Sequence, residues 1–493
     1  MSLRIAKESL AAGIAVHLIF MIHVFAQTRP QKKEKAVPTI EDARIYNEAY
    51  AWVKKAEAMI GTPQENSAEQ ASLFMQAIKI MPDFVEAHYN LGLIYANQKK
   101  MKEAVAEFET VIRLEPEMEG IYFLLANAYQ NLGNMNGAIA ALEEGLLQRP
   151  KDPVMLRALA YLQFNSSRDA EAIRNLKHLL EIEPDDVSSR IDLALLYQRN
   201  KDIDNAASNY EEVLRSDPQN FPANYNLALI YIQQKKNDLA AEKLEAANDI
   251  QPGNPELLER LGDIYALQNM PEKAAGVYKE ALKKAPERSI LLSKLGFVLA
   301  STGQVEEAVS ALEKSVLLNS DNPDSYFLLG DLYGELKLND DAVRAYRKSL
   351  ELNPKRKEVH YNLGTLYAEL GQYDEAMSEL DTAVKLDPDY ANAWANMALV
   401  AEKLEMDDRA IEAHEKVISL GKAQALNYFH LGILYAKSNR PELSIAAFKK
   451  AIELEPDKFR SILREELKNV HSVLDSVRYK KEFSRLLNDS SEF

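Results

Sequence analysis

Residues 361–388 read YNLGTLYAELGQYDEAMSELDTAVKLDP. This stretch recurs along the chain every 34 residues, which is the distance from Pro354 to Pro388. Steps of this interval from Pro388 reach a proline at ten of twelve positions between 82 and 456, and Ser320 and Lys422 take the other two. We call these twelve positions the markers. A glycine or alanine stands 24 residues before each of the last eleven markers, as Gly364 stands before Pro388. A second small residue, such as Ala376, comes 12 residues after that glycine or alanine. No insertion breaks this register, so the chain is predicted to be an array of similar units.

Each unit is predicted to hold two amphipathic helices joined by a tight turn. Leu363, Leu366 and Leu370 recur at three- and four-residue spacing, and so do the apolar residues after Ala376, which is typical of helices with one apolar face. Gly371 lies between the two helices at a position that favours positive φ. Small residues suit the helix crossing, where axes approach to about 8 Å. The marker proline ends the second helix, and the units must stack to bury both faces.

The unit resembles the tetratricopeptide repeat. That pattern has an aromatic at position 4, Leu-Gly at 7 and 8, Tyr at 11, Ala at 20, an aromatic at 24 and Pro at 32. These places are filled here by Trp394 or Tyr326, Leu363-Gly364, Tyr367, Ala376, Tyr346 or Phe448, and Pro388. The pattern lacks its position-11 tyrosine at Gln163, Leu299 and Ala401. The resemblance implies an all-α fold: a right-handed α-solenoid superhelix of stacked helix-turn-helix units, closed by a C-terminal capping helix.

The repeat register also predicts the organisation of the chain. Residues 85–458 are expected to form eleven units of about 34 residues each, the length of a tetratricopeptide repeat, preceded by a divergent capping repeat at 41–84. An apolar stripe without glycine or proline from residue 459 onward predicts a C-terminal capping helix and tail over 459–493, because the last unit of an array exposes an apolar edge that must be covered. The same stripe is an alternative surface for docking a partner or a second copy of the chain.

The N-terminus is predicted to direct the chain to a membrane. Residues 10–26 carry no formal charge and follow Arg4 and Lys7. A cleaved signal peptide ending at Ala26 and an uncleaved anchor both fit residues 1–26. Residues 27–40 read as a polar tether, although its basic residues oppose simple export. We expect a bacterial cell envelope location, either exported to the periplasm or anchored by this segment.

Composition excludes several classes of function. A formal net charge of −16 gives no general attraction for nucleic acid. The absence of cysteine excludes disulfides, thiolate metal sites and cysteine nucleophiles. No phosphate-binding glycine loop or hydrolase motif is present. His88 and His360 at position 4 and His414 at position 24 are interpreted as packing residues. No enzyme activity, catalytic residue, cofactor or metal is therefore expected.

The resemblance implies that partners bind a concave groove formed by positions 2, 5, 6, 9, 12 and 13 of each first helix, a surface called the inner face below. The predicted binding residues there are Tyr89, Asn90, Phe123, Asn127, Tyr161, Phe164, Tyr225, Asn226, Glu259, Asp263, Phe327, Asp331, Tyr361, Asn362, Asn396 and Phe429. Packing within the array is an equal alternative for the aromatic and amide residues. The acidic residues would suit a basic part of the ligand.

The sequence therefore predicts a non-enzymatic scaffold that binds protein or peptide partners. Two other functions stay open: a periplasmic assembly or export factor of an exopolysaccharide or outer-membrane machine, and an adaptor subunit of an enzyme whose catalytic chain is separate. The same fold would serve all three, and the sequence does not name the partner.

Overall fold

The structure is a computed structural model, and it describes residues 40–466. Over these residues it consists of 25 helices without a strand, which confirms the all-α prediction. The predictions for residues 1–26, for most of the tether and for the chain beyond residue 466 lie outside the described residues. Among the helices of residues 40–466, none has the length and hydropathy needed to cross a membrane.

The chain divides into two compact bodies, each made of several repeats. The first body, called unit 1, ends at Pro252, and the second, called unit 2, begins at Gly253. The helices of unit 1 are α1 Ile40–Glu57, α2 Ala68–Ile80, α3 Val85–Asn97, α4 Met101–Leu114, α5 Ile121–Asn131, α6 Met135–Gln148, α7 Pro153–Asn165, α8 Asp169–Ile182, α9 Val187–Arg199, α10 Ile203–Ser216, α11 Phe221–Gln233 and α12 Asn237–Ile250. Those of unit 2 are α13 Pro255–Leu267, α14 Pro271–Lys284, α15 Ser289–Ser301, α16 Val305–Leu318, α17 Pro323–Glu335, α18 Asn339–Leu352, α19 Lys357–Glu369, α20 Tyr373–Leu386, α21 Ala391–Lys403, α22 Asp407–Ser419, α23 Ala425–Lys437, α24 Pro441–Leu454 and α25 Pro456–Glu466.

Within each unit the helices form consecutive antiparallel pairs, and the second helix of a pair packs against the first helix of the next. The crossing inside a pair depends on the small residue at position 8. A Cβ added to Gly92 would lie 2.5 Å from Cε1 of Phe108, and one added to Gly330 would lie 2.4 Å from Cε1 of Tyr346. The position-24 side chain therefore fills the space that the glycine leaves open.

The turn inside each pair from α3 and α4 onward has the same backbone conformation. Its central residue, seven places after position 8, has positive φ in each of these eleven repeats, as the glycine at 371 indicates. These residues are Lys99, Gly133, Ser167, Lys201, Lys235, Asn269, Gly303, Lys337, Gly371, Glu405 and Asn439. Most of them carry a side chain in the left-handed region, which costs about 1–2 kcal/mol for an L-residue. The surrounding packing therefore imposes the turn, whatever residue occupies it.

A position-4 side chain that carries a donor group can stabilise the joint between successive pairs. In several repeats it donates a hydrogen bond to the carbonyl of the marker proline six residues earlier, as in Asn224 Nδ2 to Pro218 (3.0 Å) and Trp394 Nε1 to Pro388 (2.9 Å). In His360, Nε2 contacts the Pro354 carbonyl at 3.0 Å and Nδ1 contacts Glu379 Oε2 at 2.6 Å. Burial lowers the pKa of His360, but these two acceptors outweigh it and the pKa is raised.

The array ends on α25, which begins at Pro456, where a proline suits the first helical turn. Phe459 is fully buried in the last apolar cluster. Its ring centroid lies 5.3 Å from that of Phe429, which in turn lies 5.6 Å from that of Phe448. This helix therefore covers an aromatic residue that the repeat pattern assigns to the inner face.

Candidate functional site: the inner face

In unit 2 the first helices of successive pairs contact one another directly, α15 with α17, α17 with α19 and α19 with α21. Contacts between successive second helices are sparser. The first helices α15, α17, α19 and α21 thus form one surface, which carries Phe327, Asp331, Tyr361, Asn362 and Asn396. Glu259 and Asp263 lie on α13 and Phe429 lies on α23. Whether they are free to bind a ligand depends on their existing partners.

Position 6 of one pair hydrogen-bonds to the preceding pair. Asn362 Nδ2 donates to Asp331 Oδ1 at 2.8 Å, and Asn396 Nδ2 donates to Thr365 Oγ1, also at 2.8 Å. Asp331 also accepts from the Tyr346 hydroxyl at 2.6 Å. Burial raises the pKa of Asp331, although both hydrogen bonds favour its charged form. Asp331, Asn362 and Asn396 therefore join neighbouring pairs.

The predicted acidic part of the inner face is neutralised by the chain itself. Lys294 Nζ lies 2.8 Å from Glu259 Oε1 and 2.7 Å from Asp263 Oδ2, and Arg288 lies 2.7 Å from Glu259 Oε2. The Tyr278 hydroxyl donates to Asp263 Oδ1 at 2.7 Å. A basic ligand would have to displace Lys294 or Arg288 before it could reach these carboxylates.

The aromatic residues of the inner face in unit 2 are also engaged. The guanidinium carbon of Arg356 lies 4.4 Å from the centre of the Phe327 ring, a cation–π geometry. Tyr361 packs against Tyr390 with ring centroids 5.1 Å apart. Phe429 is only 6% exposed because α25 covers it. Phe327 and Tyr361 nevertheless remain partly exposed. In unit 2 the predicted polar sites are thus occupied by contacts within the chain, and the aromatic sites only in part.

The aromatic residues of unit 1 are buried to different extents. Phe123 is buried in the core cluster, and Tyr89 and Tyr161 pack against that cluster while remaining partly exposed. Burial raises the pKa of Tyr89 to about 12. Tyr225 is buried and stacks on Phe221 with ring centroids 5.8 Å apart. Tyr89 and Tyr161 therefore keep part of each ring available to a ligand.

Phe164 is a partly exposed ring at the end of α7. The guanidinium carbon of Arg199 lies 4.1 Å from its centre. Arg199 is held there by an ion pair with Asp169 and by hydrogen bonds of 3.2 and 3.3 Å to the Phe164 carbonyl. The ring and the cation together present a flat surface on which an aromatic or amide group could stack.

Three asparagines of unit 1 are predicted binding residues, and Asn226 differs from Asn90 and Asn127. Asn90 donates to the Glu86 carbonyl at 2.8 Å, and Asn127 accepts from Asn131 through its side-chain oxygen at 2.9 Å. Asn226 is 5% exposed, and its Oδ1 has no hydrogen-bond partner. An unsatisfied buried acceptor costs about 1–3 kcal/mol. Because this oxygen has almost no exposed surface, a peptide N–H could reach it only after neighbouring side chains move aside.

Sequence reasoning missed Asp192, a partly buried acid at position 6 of α9. Burial first, and then the charge of Asp186, raise its pKa to about 8, against the charge of Arg157, which lowers it. Arg157 is committed to ion pairs with Asp186 (2.7 Å) and Glu183 (2.8 Å), so it does not neutralise Asp192 directly. The repeat position indicates an inward residue, but only the packing reveals that the acid is buried and lacks a cation of its own.

We expect Asp192→Asn to stabilise α9 and α10, more at pH 8 than at pH 5. The pKa of Asp192 rises from 3.8 in the unfolded chain to about 8 in the folded chain. The proton on this carboxyl group therefore stabilises the fold fully below pH 3.8, and this contribution is lost as the pH rises toward 8. At 1.36 kcal/mol per pKa unit, the change between pH 5 and pH 8 amounts to about 3–4 kcal/mol. Hydrogen exchange of α9 and α10 at both pH values measures it, and an equal gain at pH 5 and pH 8 would contradict the prediction.

Metal-ligating side chains converge at one place in residues 40–466, next to Phe429, whose ring centroid lies 6.2 Å from that of His430. Glu402, His414 and His430 bring one ligand atom each to within 4.8 Å of one another. Two of these side chains are histidines, of which the sequence pattern interpreted His414 as a packing residue.

Three family models, each described as tetratricopeptide repeat, match the chain. One matches residues 97–162, 231–295 and 335–400, another matches 67–119, 191–255 and 293–357, and the third matches 425–458. The matched segments together cover more than half of the chain. The chain is therefore built from tetratricopeptide repeats, and this fold supports a role as a protein-interaction scaffold.

Solved structures of other repeat proteins are similar to parts of this chain. YrrB, described as a TPR protein with an unusual peptide-binding site, is 23% identical over 40% of this chain and 100% of its own, with a TM-score of 0.36. A tetratricopeptide repeat protein from Parabacteroides merdae is 22% identical over 51% of this chain and 98% of its own, with a TM-score of 0.36. The Naa15/Naa10 complex bound to HypK-THB is 15% identical over 90% of this chain and 77% of its own, with a TM-score of 0.41. No curated protein matches the chain.

Proposed function

We propose that the chain is a non-enzymatic scaffold that binds an extended segment of a partner protein along the inner face of unit 1. The observation that carries this proposal is the difference between the two units. In unit 2 the inward polar groups that we predicted to bind are bonded to each other, to Thr365 or to basic residues of the chain. In unit 1 the buried Asn226 oxygen has no partner, and the Tyr161 and Phe164 rings remain partly exposed.

The chemistry of these residues fits a peptide in extended conformation. Exposed rings supply large rigid contact areas, which is why aromatic residues dominate binding energy at many interfaces. Successive pairs repeat the arrangement along the chain, so one extended segment could contact several of them. We further propose that the N-terminal segment holds this scaffold in a bacterial cell envelope, with partner segments arriving from other envelope proteins.

Photo-crosslinking tests the binding surface. A benzoyl-phenylalanine placed at Tyr161 or at Phe164 should crosslink one and the same partner in cells. The same group at Leu147, which is 80% exposed on the second helix α6, serves as the matched control and should not crosslink that partner.

We expect the double variant Tyr161→Ala, Phe164→Ala to lower capture of the crosslinked partner by more than tenfold, because truncating an aromatic hot spot costs about 2 kcal/mol or more. Leu147→Ala should leave capture unchanged. Helical circular dichroism should be nearly equal in both variants, since Tyr161 and Phe164 keep only part of their surface in the core. Undiminished capture by the folded double variant would show that this surface is not the binding site.

A further inference from the structure

Three side chains from three consecutive helices converge near the C-terminal end of the array. Glu402 lies on α21, His414 on α22 and His430 on α23. His414 Nε2 is 2.8 Å from Glu402 Oε1, and His430 Nδ1 is 2.8 Å from Glu402 Oε2. The two imidazole rings are nearly parallel, with centroids 5.6 Å apart. One carboxylate therefore faces two histidine nitrogens at once.

The repeat register shows that this arrangement is particular to one place. His414 occupies position 24, which holds leucine, tyrosine or phenylalanine in the other ten units, and His430 is the only histidine at position 6. His414 is 1% exposed, and an imidazole in place of an apolar side chain is costly to bury unless both nitrogens find partners. Glu402 and His430 are each about a quarter exposed at the side chain, so the group is closed on one side and open on the other.

We propose that Glu402, His414 and His430 bind a Zn²⁺ ion. Imidazole nitrogen and carboxylate oxygen are the donors that Zn²⁺ takes in proteins without cysteine, at about 2.0–2.2 Å, and three protein ligands leave the fourth tetrahedral position to water. Ligand atoms around such an ion lie about 3.3 Å apart. The present separations are 2.8 Å for each histidine–carboxylate pair and within 4.8 Å overall, close to this spacing, and the side chains would turn so that all three atoms face the ion.

Asn427 is placed to orient His414. Its Nδ2 lies 3.3 Å from His414 Nδ1, and its Oδ1 accepts from the Gln424 backbone N–H at 2.8 Å. A metal on Nε2 leaves the proton on Nδ1, and a half-turn of the Asn427 amide would present Oδ1 to that proton. The Gln424 N–H is exposed, so water can replace its lost partner. An amide or carboxylate oxygen on the second nitrogen is the usual support for a histidine that binds a metal.

The position of the group suggests what the ion would do. It spans the joint between α22 and α23, where Lys422 replaces the marker proline. The ion would connect α21, α22 and α23 across this joint, because its ligands come from both sides of it. Binding would thus stabilise the last two pairs of the array against local opening.

Equilibrium dialysis of the full chain, prepared without a histidine tag, against micromolar Zn²⁺ tests the proposal. We expect one tightly bound ion, a rise in the unfolding temperature with Zn²⁺, and tetrahedral Co²⁺ absorption when Co²⁺ replaces it. Glu402→Gln and His430→Asn should each weaken Zn²⁺ binding more than about 100-fold, since even outer-shell partners contribute about 10- to 100-fold. His360→Asn is the matched control, because His360 also contacts a carboxylate but has no third ligand, and its binding should equal that of the parent chain.

Two results would overturn the inference. One is the absence of Zn²⁺ binding to the parent chain at 100-fold molar excess. The other is equal binding by the parent chain and the folded His430→Asn variant, which would place the ion elsewhere. His430 is partly exposed at the surface, so this variant decides the question even if Glu402→Gln disturbs the joint.

Discussion

Phe459→Ala is expected to detach α25 from the array. The Phe459 side chain is fully buried between α25 and the last pair, with its ring against Phe429. Replacing a buried phenylalanine by alanine removes its transfer free energy and leaves a cavity, at a cost of about 3–5 kcal/mol. A helix of about three turns has little stability of its own, so this loss should exceed what holds α25 in place.

Hydrogen exchange measured by mass spectrometry gives the readout for this variant. Protection should fall in α25 first and then in α23 and α24, while α13 to α18 keep theirs, because each pair contacts only its neighbours. Leu454→Ala is the control: this residue is 49% exposed just ahead of α25, so its truncation should have little effect. Unchanged protection of α25 in Phe459→Ala would mean that other contacts dock the helix.

Gly330→Leu is expected to open the pair formed by α17 and α18. Even a Cβ at Gly330 would lie 2.4 Å from the Tyr346 ring, and that ring cannot move away freely because its hydroxyl bonds to Asp331. Overpacking of this kind costs about 1–3 kcal/mol, and a leucine at a place without room for a methyl group should reach the upper end of that range. The bond from Asn362 to Asp331 would be strained along with it.

Gly334 on the same helix provides the control for this variant. A Cβ there would meet nothing within 4 Å, so Gly334→Ala should stabilise α17 by about 1 kcal/mol through helix propensity alone. Thermal unfolding and local hydrogen exchange of both variants separate packing from propensity. Equal stability of Gly330→Leu and the parent chain would show that Tyr346 can move aside.

The repeat register predicted the fold well because the same physical need recurs at every unit. The turn position shows this clearly: glycine at 371 predicts positive φ, and Lys201 and Ser167 adopt it as well because neighbouring helices fix the path of the backbone. The small residue at position 8 likewise predicted a close crossing, which Gly330 and Tyr346 form.

The candidate site was less predictable, because a repeat position states where a residue lies and not what it contacts. Asp331 is inward as expected, yet its partners Tyr346 and Asn362 come from position 24 and from the next pair. Phe429 follows the pattern of an inner-face residue, but α25, which is not a repeat, covers it. Only the packed structure shows which of these positions contact one another.

Glu402, His414 and His430 illustrate the same limit for metal chemistry. No short motif joins them, since they are separated by 12 and 16 residues along the chain and stand at three different repeat positions. A histidine at position 24 is a rare substitution in one unit and becomes informative only when its neighbours in space are known. The spacing of successive pairs could have suggested the group, had positions 12, 24 and 6 of the next unit been considered together.

The turn shared by all units has an evolutionary consequence. Because lysine, serine, glutamate, asparagine and glycine all adopt the same conformation there, a mutation at this residue leaves the neighbouring joints intact. Duplication or deletion of one whole repeat in the gene would likewise join two ends of matching geometry, whereas insertion of a single residue into a helix would shift every later contact. The number of repeats in such a protein can therefore change between lineages, whereas the spacing of residues within a repeat cannot.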